Sequence, residues 1–199
     1  MEIRQARFIV SNSDASRCPA PDRPEYAFIG RSNVGKSSLI NMLTINHTLA
    51  KTSGKPGKTQ LINHFLINES WFLVDLPGYG YAKAPQTERL RWGKLLRQYI
   101  LERTNLCCLF VLVDIRHEAK SSDLNFMEWL GEKQVPFCIV FTKCDKIKPT
   151  LISSLAEKYM LVLSEKWEPL PRFFITSSVD YTGRKEILTF IEQVNANWK

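Results

Sequence analysis

One nine-residue stretch constrains the fold of this chain more than any other: Gly30-Arg31-Ser32-Asn33-Val34-Gly35-Lys36-Ser37-Ser38, placed directly after the apolar run Tyr26–Ile29. The spacing G-x-x-x-x-G-K-[ST] is complete in Gly30, Gly35, Lys36 and Ser37. Holding a chain of phosphates takes several backbone N–H donors converging on one point, and glycines let a loop curl closely enough to supply them. Lys36 adds a full positive charge. Ser37 opens a helix, so its hydroxyl can ligate Mg²⁺ while the helix N-terminus offers further N–H groups to the anion. Arg31, Ser32, Asn33, Val34 and Ser38 complete the cradle. The residues after the loop, Lys36–Asn46, read as a helix with Leu39, Ile40, Met42 and Leu43 facing inward.

The rest of the chain repeats the alternation that this strand–loop–helix begins. Strand candidates are Tyr26–Ile29, Leu61–Ile67, Trp71–Val74, Leu109–Val113, Phe137–Phe141 and Phe173–Ile175. Helical patterns follow at Lys36–Asn46, Thr87–Arg103, Ser122–Glu132, Leu151–Lys166 and Gly183–Trp198, the last with Ile187, Ile191, Val194 and Trp198 on one stripe. This order predicts an α/β fold: a six-stranded, mostly parallel sheet with helices on both faces. Leu61–Ile67 and Trp71–Val74 are joined only by Asn68-Glu69-Ser70, too short for a crossover, so they form a hairpin with one antiparallel strand. The expected organisation is a single domain over residues 1–199. Residues 1–24 form an extension in which the proline-rich connector Cys18–Pro24 holds a leading segment, Ala6–Ser11, against the body at 25–199.

A chain of 199 residues, 44% hydrophobic and 24% charged, has the composition of a soluble globular domain. Its longest apolar run, Leu106–Val113, falls far short of a membrane span, and the N-terminus lacks the apolar region of a signal peptide, which points to the cytosol. Five cysteines, an odd number with no C-x-x-C pair, predict neither a disulfide nor zinc. The net charge of +7 favours polyanionic partners, nucleic acid first.

In an open sheet of this kind ligands sit beyond the carboxyl ends of the strands, and four more clusters fall there. Asp75-Leu76-Pro77-Gly78 gives D-x-x-G, whose carboxylate can hold Mg²⁺ through a water and whose glycine N–H can reach a γ-phosphate. Thr142-Lys143-Cys144-Asp145 places a carboxylate where guanine shows N1–H and N2–H₂ side by side, a donor pair adenine lacks, so Asp145 selects GTP over ATP while Lys143 lays its stem along the base. Thr176-Ser177-Ser178 offers a backbone N–H to the guanine O6. The loop Lys51–Gln60, with two glycines, one proline and three lysines, reads as a mobile switch; its end, Gly57, Lys58, Thr59 and Gln60, together with Leu61, faces the nucleotide, and Thr59 completes the Mg²⁺ shell once a γ-phosphate is present. The candidate metal ligands are thus Ser37, Thr59 and Asp75, and the candidate catalytic groups Lys36, Thr59 and Gly78. Together the five clusters spell out a GTPase.

With these residues in hand the chain resembles the EngB (YihA/YsxC) family of ribosome-biogenesis GTPases, in the Era-like group. The resemblance spans nearly the whole chain and rests on GRSNVGKSSLIN, KPGKTQLIN, DLPGYGYA, DIRHEAKSSD and TKCD. It implies a Ras-like fold, GTP/GDP and Mg²⁺ binding, late assembly of the large ribosomal subunit with rRNA as partner, and a link to cell division and septation. Thr142, Ser178 and Val179 depart from the commoner GTPase residues, which implies a modest guanine affinity. Ras-like proteins place a water-orienting Gln after D-x-x-G; here Tyr79 stands there, so hydrolysis by the isolated chain is expected to be slow. Asn33 resembles the potassium-coordinating asparagine of some Era-like GTPases, which makes K⁺ one candidate activator and a large partner the other. In Thr87–Arg103, Trp92, Leu95, Leu96, Tyr99 and Ile100 share one arc and Arg91, Lys94 and Arg97 the other, a basic face that is either ordinary solvated charge or a contact for rRNA phosphates. Two other readings remain: a switch module for a division or membrane-associated protein, with hydrolysis incidental, and a P-loop kinase or ATPase, which Asp145 argues against. No membrane anchor is expected, and the chain is expected to be monomeric off the ribosome.

Overall fold

The computed structural model describes residues 1–50, 61–79 and 86–198. Its strands are β1 (Ala6–Asn12), β2 (Glu25–Gly30), β3 (Ile62–Ile67), β4 (Trp71–Asp75), β5 (Leu106–Asp114), β6 (Phe137–Thr142) and β7 (Phe173–Ile175); its α-helices are α1 (Lys36–Thr44), α2 (Gln86–Glu102), α3 (Ser121–Glu132), α4 (Pro149–Ser164) and α5 (Arg184–Asn195). The strands form a seven-stranded sheet in the order β1-β3-β4-β2-β5-β6-β7. All pairings among β4, β2, β5, β6 and β7 are parallel, and β3 runs antiparallel to both its neighbours. The hairpin is therefore where the short link requires it, and the turn takes positive φ at Asn68 and Glu69.

The leading segment does more than lie against the body. Residues 6–12 pair with β3 along its length, from Ala6 opposite Ile67 to Asn12 opposite Ile62, and raise the strand count from the expected six to seven. Alternation along β1 is weak, and a bulge between Phe8 and Val10 interrupts its register, so its sequence lacked the period-two signal of a half-buried strand. Asn68 fixes its entry by accepting the Arg4 and Gln5 amides at 2.8 and 3.1 Å.

Burial follows from the pleat. In β2 and β5 successive side chains go to opposite faces: Ala27, Ile29, Leu109, Val111 and Val113 join a core under α2, α3 and α4, while Tyr26, Phe28, Cys108, Phe110 and Leu112 join a second core under α1 and α5. Such near-continuous apolar strands belong to parallel sheets covered on both sides. Leu95, Leu96, Tyr99 and Ile100 of α2 are buried as the arc predicts, and Arg91, Lys94 and Arg97 are exposed. Trp198 departs from its expected stripe. The helix ends at Asn195, and three residues later the indole is 37% exposed, because the chain no longer keeps helical phase with Ile187 and Ile191. No helix among the described residues is long and apolar enough to cross a membrane.

The sheet order puts β4 on one side of β2 and β5 on the other. The chain thus reverses direction across the sheet at β2, and a crevice opens beyond its carboxyl end. Gly30, Asp75, Asp114, Thr142 and Ile175 terminate five neighbouring strands along that edge.

Candidate functional site

The loop leaving β2 is shaped by two glycines. A Cβ at Gly30 would lie 2.9 Å from both Leu112 Cβ and Val34 Cγ1, so only glycine lets the loop cross so close to β5. Gly35, at φ 106°, is left-handed and starts α1, a conformation that side chains resist. Asn33, at φ 63°, takes the same hand, one that asparagine tolerates better than most residues. The turn closes by Val34 N–H to Arg31 O at 3.2 Å and Leu39 N–H to Gly35 O at 2.9 Å. The result is a curled loop feeding a helix N-terminus, the geometry of an anion cradle.

The segment after β6 is fastened onto this loop. Thr142, 4% exposed, donates its hydroxyl to Val34 O at 2.6 Å. Lys143 donates its ammonium to Asn33 O at 2.6 Å and pairs with Asp114 Oδ2 at 3.0 Å. Thr142, an expected weak point, thus braces the phosphate loop with its hydroxyl. Asp114 is a positioning group that the sequence reading left out; its signal was an aspartate ending a strand next to the one that carries Lys143. Burial pushes its carboxyl up, but hydrogen bonds and charges from Arg116 and Lys143 outweigh that and hold it well below the ordinary carboxylate range. Asp145 follows in a short 3-10 turn, Cys144–Lys146, with its carboxylate 3.1 Å from Lys146 Nζ.

The third wall is the turn after β7. Cys144 N–H bonds Thr176 O at 3.1 Å, joining the two base-side segments. Thr176 donates its hydroxyl to Phe141 O at 2.9 Å, and buried Ser177 accepts the Val179 amide on its hydroxyl at 3.1 Å. Both short polar residues therefore hold the turn, and Ser178 stands half-buried at its crest.

On the phosphate side, Lys36 and Asp75 are both buried and form a direct ion pair. Burial pulls the Lys36 ammonium down, while the carboxylate against it favours the charged form. Ser37 lies in the first turn of α1 and Asp75 at the end of β4. A hydroxyl and a carboxylate are hard oxygen donors of the kind Mg²⁺ accepts while keeping waters and substrate oxygens as its other ligands, so the residues present fit that ion. Leu76 N–H bonds Phe28 O at 3.0 Å, which carries the β2–β4 pairing into Asp75–Gly78. Gly57, Lys58, Thr59 and Gln60 lie outside the described residues; Leu61 opens the next described stretch and is 38% exposed.

The arrangement is a loop for phosphates with a base-reading segment bolted to it, and sequence comparison puts it in a family. A family model described as "50S ribosome-binding GTPase" matches residues 25–143. A probable GTP-binding protein EngB of Flavobacterium johnsoniae is 56% identical over 196 residues, covering 98% of this chain and 93% of that protein. The chain belongs to the EngB family of GTP-binding proteins. Its EngB relatives include one from Bacteroides fragilis, 56% identical over 195 residues and 98% of this chain, against 97% of its own length. A solved probable GTP-binding protein engB superposes with TM-score 0.68 at 25% identity, covering 87% of this chain and 100% of that one. Aquifex aeolicus Era shares the fold at TM-score 0.68 and 21% identity, over 86% of this chain and 56% of its own. Within this EngB chain, then, Gly30–Ser38, Asp75–Gly78, Thr142–Asp145 and Thr176–Ser178 meet along one edge of the sheet.

Proposed function

We propose that this chain hydrolyses GTP to GDP and phosphate and acts as a nucleotide-gated factor in late assembly of the large ribosomal subunit, in the cytoplasm, with a consequent requirement in cell division and septation. The observation that carries the reading is the fastening of Thr142 and Lys143 onto the carbonyls of Val34 and Asn33, each at 2.6 Å. A purine-reading carboxylate tied rigidly to a phosphate loop discriminates and holds one ligand as a unit. The family description and the net charge of +7 support a ribosomal, polyanionic partner.

In this reading Lys36 leaves Asp75 for the phosphates, and the N–H groups of Asn33–Ser38 gather round them. Gly78 meets the γ-phosphate, and Thr59 closes over it. Asp145 accepts from guanine N1–H and N2–H₂, Lys143 covers the base, and the Ser178 N–H meets O6. Mg²⁺, held at Ser37, Thr59 and Asp75, supplies charge neutralisation on the phosphate oxygens when bound. Tyr79 has no carboxamide to orient water, so intrinsic hydrolysis is slow and is raised by K⁺ at Asn33 or by the ribosomal partner.

Cosedimentation with purified large subunits tests the assembly role: pelleting with a GTP analogue well above that with GDP is expected, and equal, negligible pelleting in both states would favour a protein partner instead. Competition experiments address the base. ATP failing to displace GTP is expected, and displacement at similar concentrations would overturn the role given to Asp145.

A further inference from the structure

Tyr79 stands at the position of the water-orienting glutamine, yet its surroundings give it other work. Its backbone bridges Arg31 in parallel register, so it is paired to the phosphate loop directly after Gly78. Its ring stacks on Phe126 of α3 with centroids 4.5 Å apart and planes inclined 26°. Phe126 stacks in turn on Trp129 at 6.0 Å, and the Arg97 guanidinium of α2 lies over the Trp129 ring at 5.9 Å. The Tyr79 hydroxyl is buried, facing Asp123 in the first turn of α3, with Arg31 as the opposing charge beside that carboxylate. Burial raises both acids, which keeps the phenol protonated.

We propose that Tyr79 is a positioning residue that couples Gly78 to α3 and, through the Phe126–Trp129–Arg97 stack, to the basic face of α2. The inference rests on reading the site as a GTP switch and extends it to the route by which nucleotide state reaches the surface. The three rings are partly buried and pack against the core under α2, α3 and α4, and stacked rings packed onto a close-packed core do not slide continuously. A displacement of Gly78 toward a γ-phosphate therefore either unstacks Tyr79 or moves α3 with it. Arg97, at the far end of the stack, sits on the face that presents Arg91 and Lys94, so the movement ends among exposed positive charges.

The test is hydrogen exchange of the α3 amides, residues 121–132, in the full chain loaded with GDP or with a non-hydrolysable GTP analogue. The wild type is expected to show a state difference of about fivefold or more, the lower end of ordinary allosteric coupling. Tyr79→Ala is expected to abolish the difference while fluorescent GDP still binds and slow hydrolysis is unchanged; Tyr79→Phe, which keeps the stack, retains it. Persistence of the difference in Tyr79→Ala, or its absence in nucleotide-loaded wild type, would overturn the coupling. Loss of hydrolysis with the difference intact would make Tyr79 catalytic instead. Should Tyr79→Ala fail to fold, Phe126→Leu breaks the same stack one step further along and carries the same expectation. A wild type that binds neither nucleotide overturns the reading of the site, an outcome distinct from nucleotide bound without coupling.

Discussion

Buried charge appears at both ends of the central sheet, and the two ends use it differently. At the carboxyl end, Lys36 and Asp75 face each other as a pair. At the amino end, Glu25, 0% exposed, has several partners at once: Arg103 holds it in a fork at 2.7 and 3.1 Å, Tyr99 donates its hydroxyl to it, and His64 Nε2 lies 3.3 Å away. Arg103 also donates to Pro19 O at 2.9 Å, and Asn105 to Arg23 O at 2.7 Å, which anchors the connector to the same network. A carboxylate with several partners at once is built to stay where it is. Among the described residues Lys36 and Asp75 have each other as their charged partner, and such a pair can exchange partners, because a phosphate or a cation can replace the one charged contact given up. The contrast teaches how to tell structural from functional buried charge: by the number of partners, since desolvation is costly in both places.

That contrast can be broken by mutation. The largest effect is expected for Glu25→Gln, which leaves the Arg103 charge without its carboxylate partner; about 3–5 kcal/mol of stability is lost, as for other broken buried pairs. Thermal melting should fall by roughly 10 °C for a chain of this size, while nucleotide affinity of the folded fraction stays unchanged. A melting temperature close to that of the wild type would refute the structural role. Lys36→Ala should do the reverse and weaken GTP and GDP by about 100-fold, about 2.7 kcal/mol, in a fluorescent-nucleotide titration. The comparison fails if that variant binds normally and merely melts early.

Acid unfolding sharpens the same point with a somewhat smaller effect. Burial pushes the Glu25 carboxyl up, but His64 and Arg103 together outweigh it and lower the pKa from 4.5 to about 2. A depressed folded-state pKa contributes stability that is fully present above the unfolded value and is lost as pH falls through the folded one. Denaturant midpoints should therefore drop between pH 4.5 and 2, and the drop should be shallower in Glu25→Gln, where that proton has already lost its carboxylate. Equal slopes for the two proteins would remove Glu25 as the titrating group. The smallest effect is expected for Thr142→Ala, which deletes one neutral hydrogen bond to the phosphate loop and costs about 1 kcal/mol, read as a five- to sixfold rise in the GDP dissociation constant with little change in melting. A loss on the Lys36→Ala scale would show instead that Thr142 contacts the nucleotide.

Local sequence was sufficient where a motif encodes its own backbone. The curl at Gly30–Ser38 was legible because Gly30 must clear Leu112 and Gly35 must turn left-handed, and such demands select residue types at fixed spacing. The strands were legible for a similar reason, since burial on both faces leaves continuous apolar runs in β2 and β5. The hairpin followed from a link too short to do anything else. Less legible were pairings between segments far apart in the chain: Asp114 with Lys143, Thr142 with Val34, and Glu25 with His64 and Arg103. Each needs the whole sheet order, and for Arg103 the docking of α2, to be in place before the side chains can meet.

By itself, then, the sequence determined a parallel α/β sheet with a phosphate loop at its carboxyl edge and a set of polar clusters beyond the strands, because period, glycine and turn chemistry act within a few residues. Tertiary structure alone decided that residues 6–12 become a seventh strand, that Tyr79 turns its ring onto Phe126, and which buried acid meets which base. Those outcomes depend on distances across the sheet and between helices, which close packing sets only once the whole chain has folded.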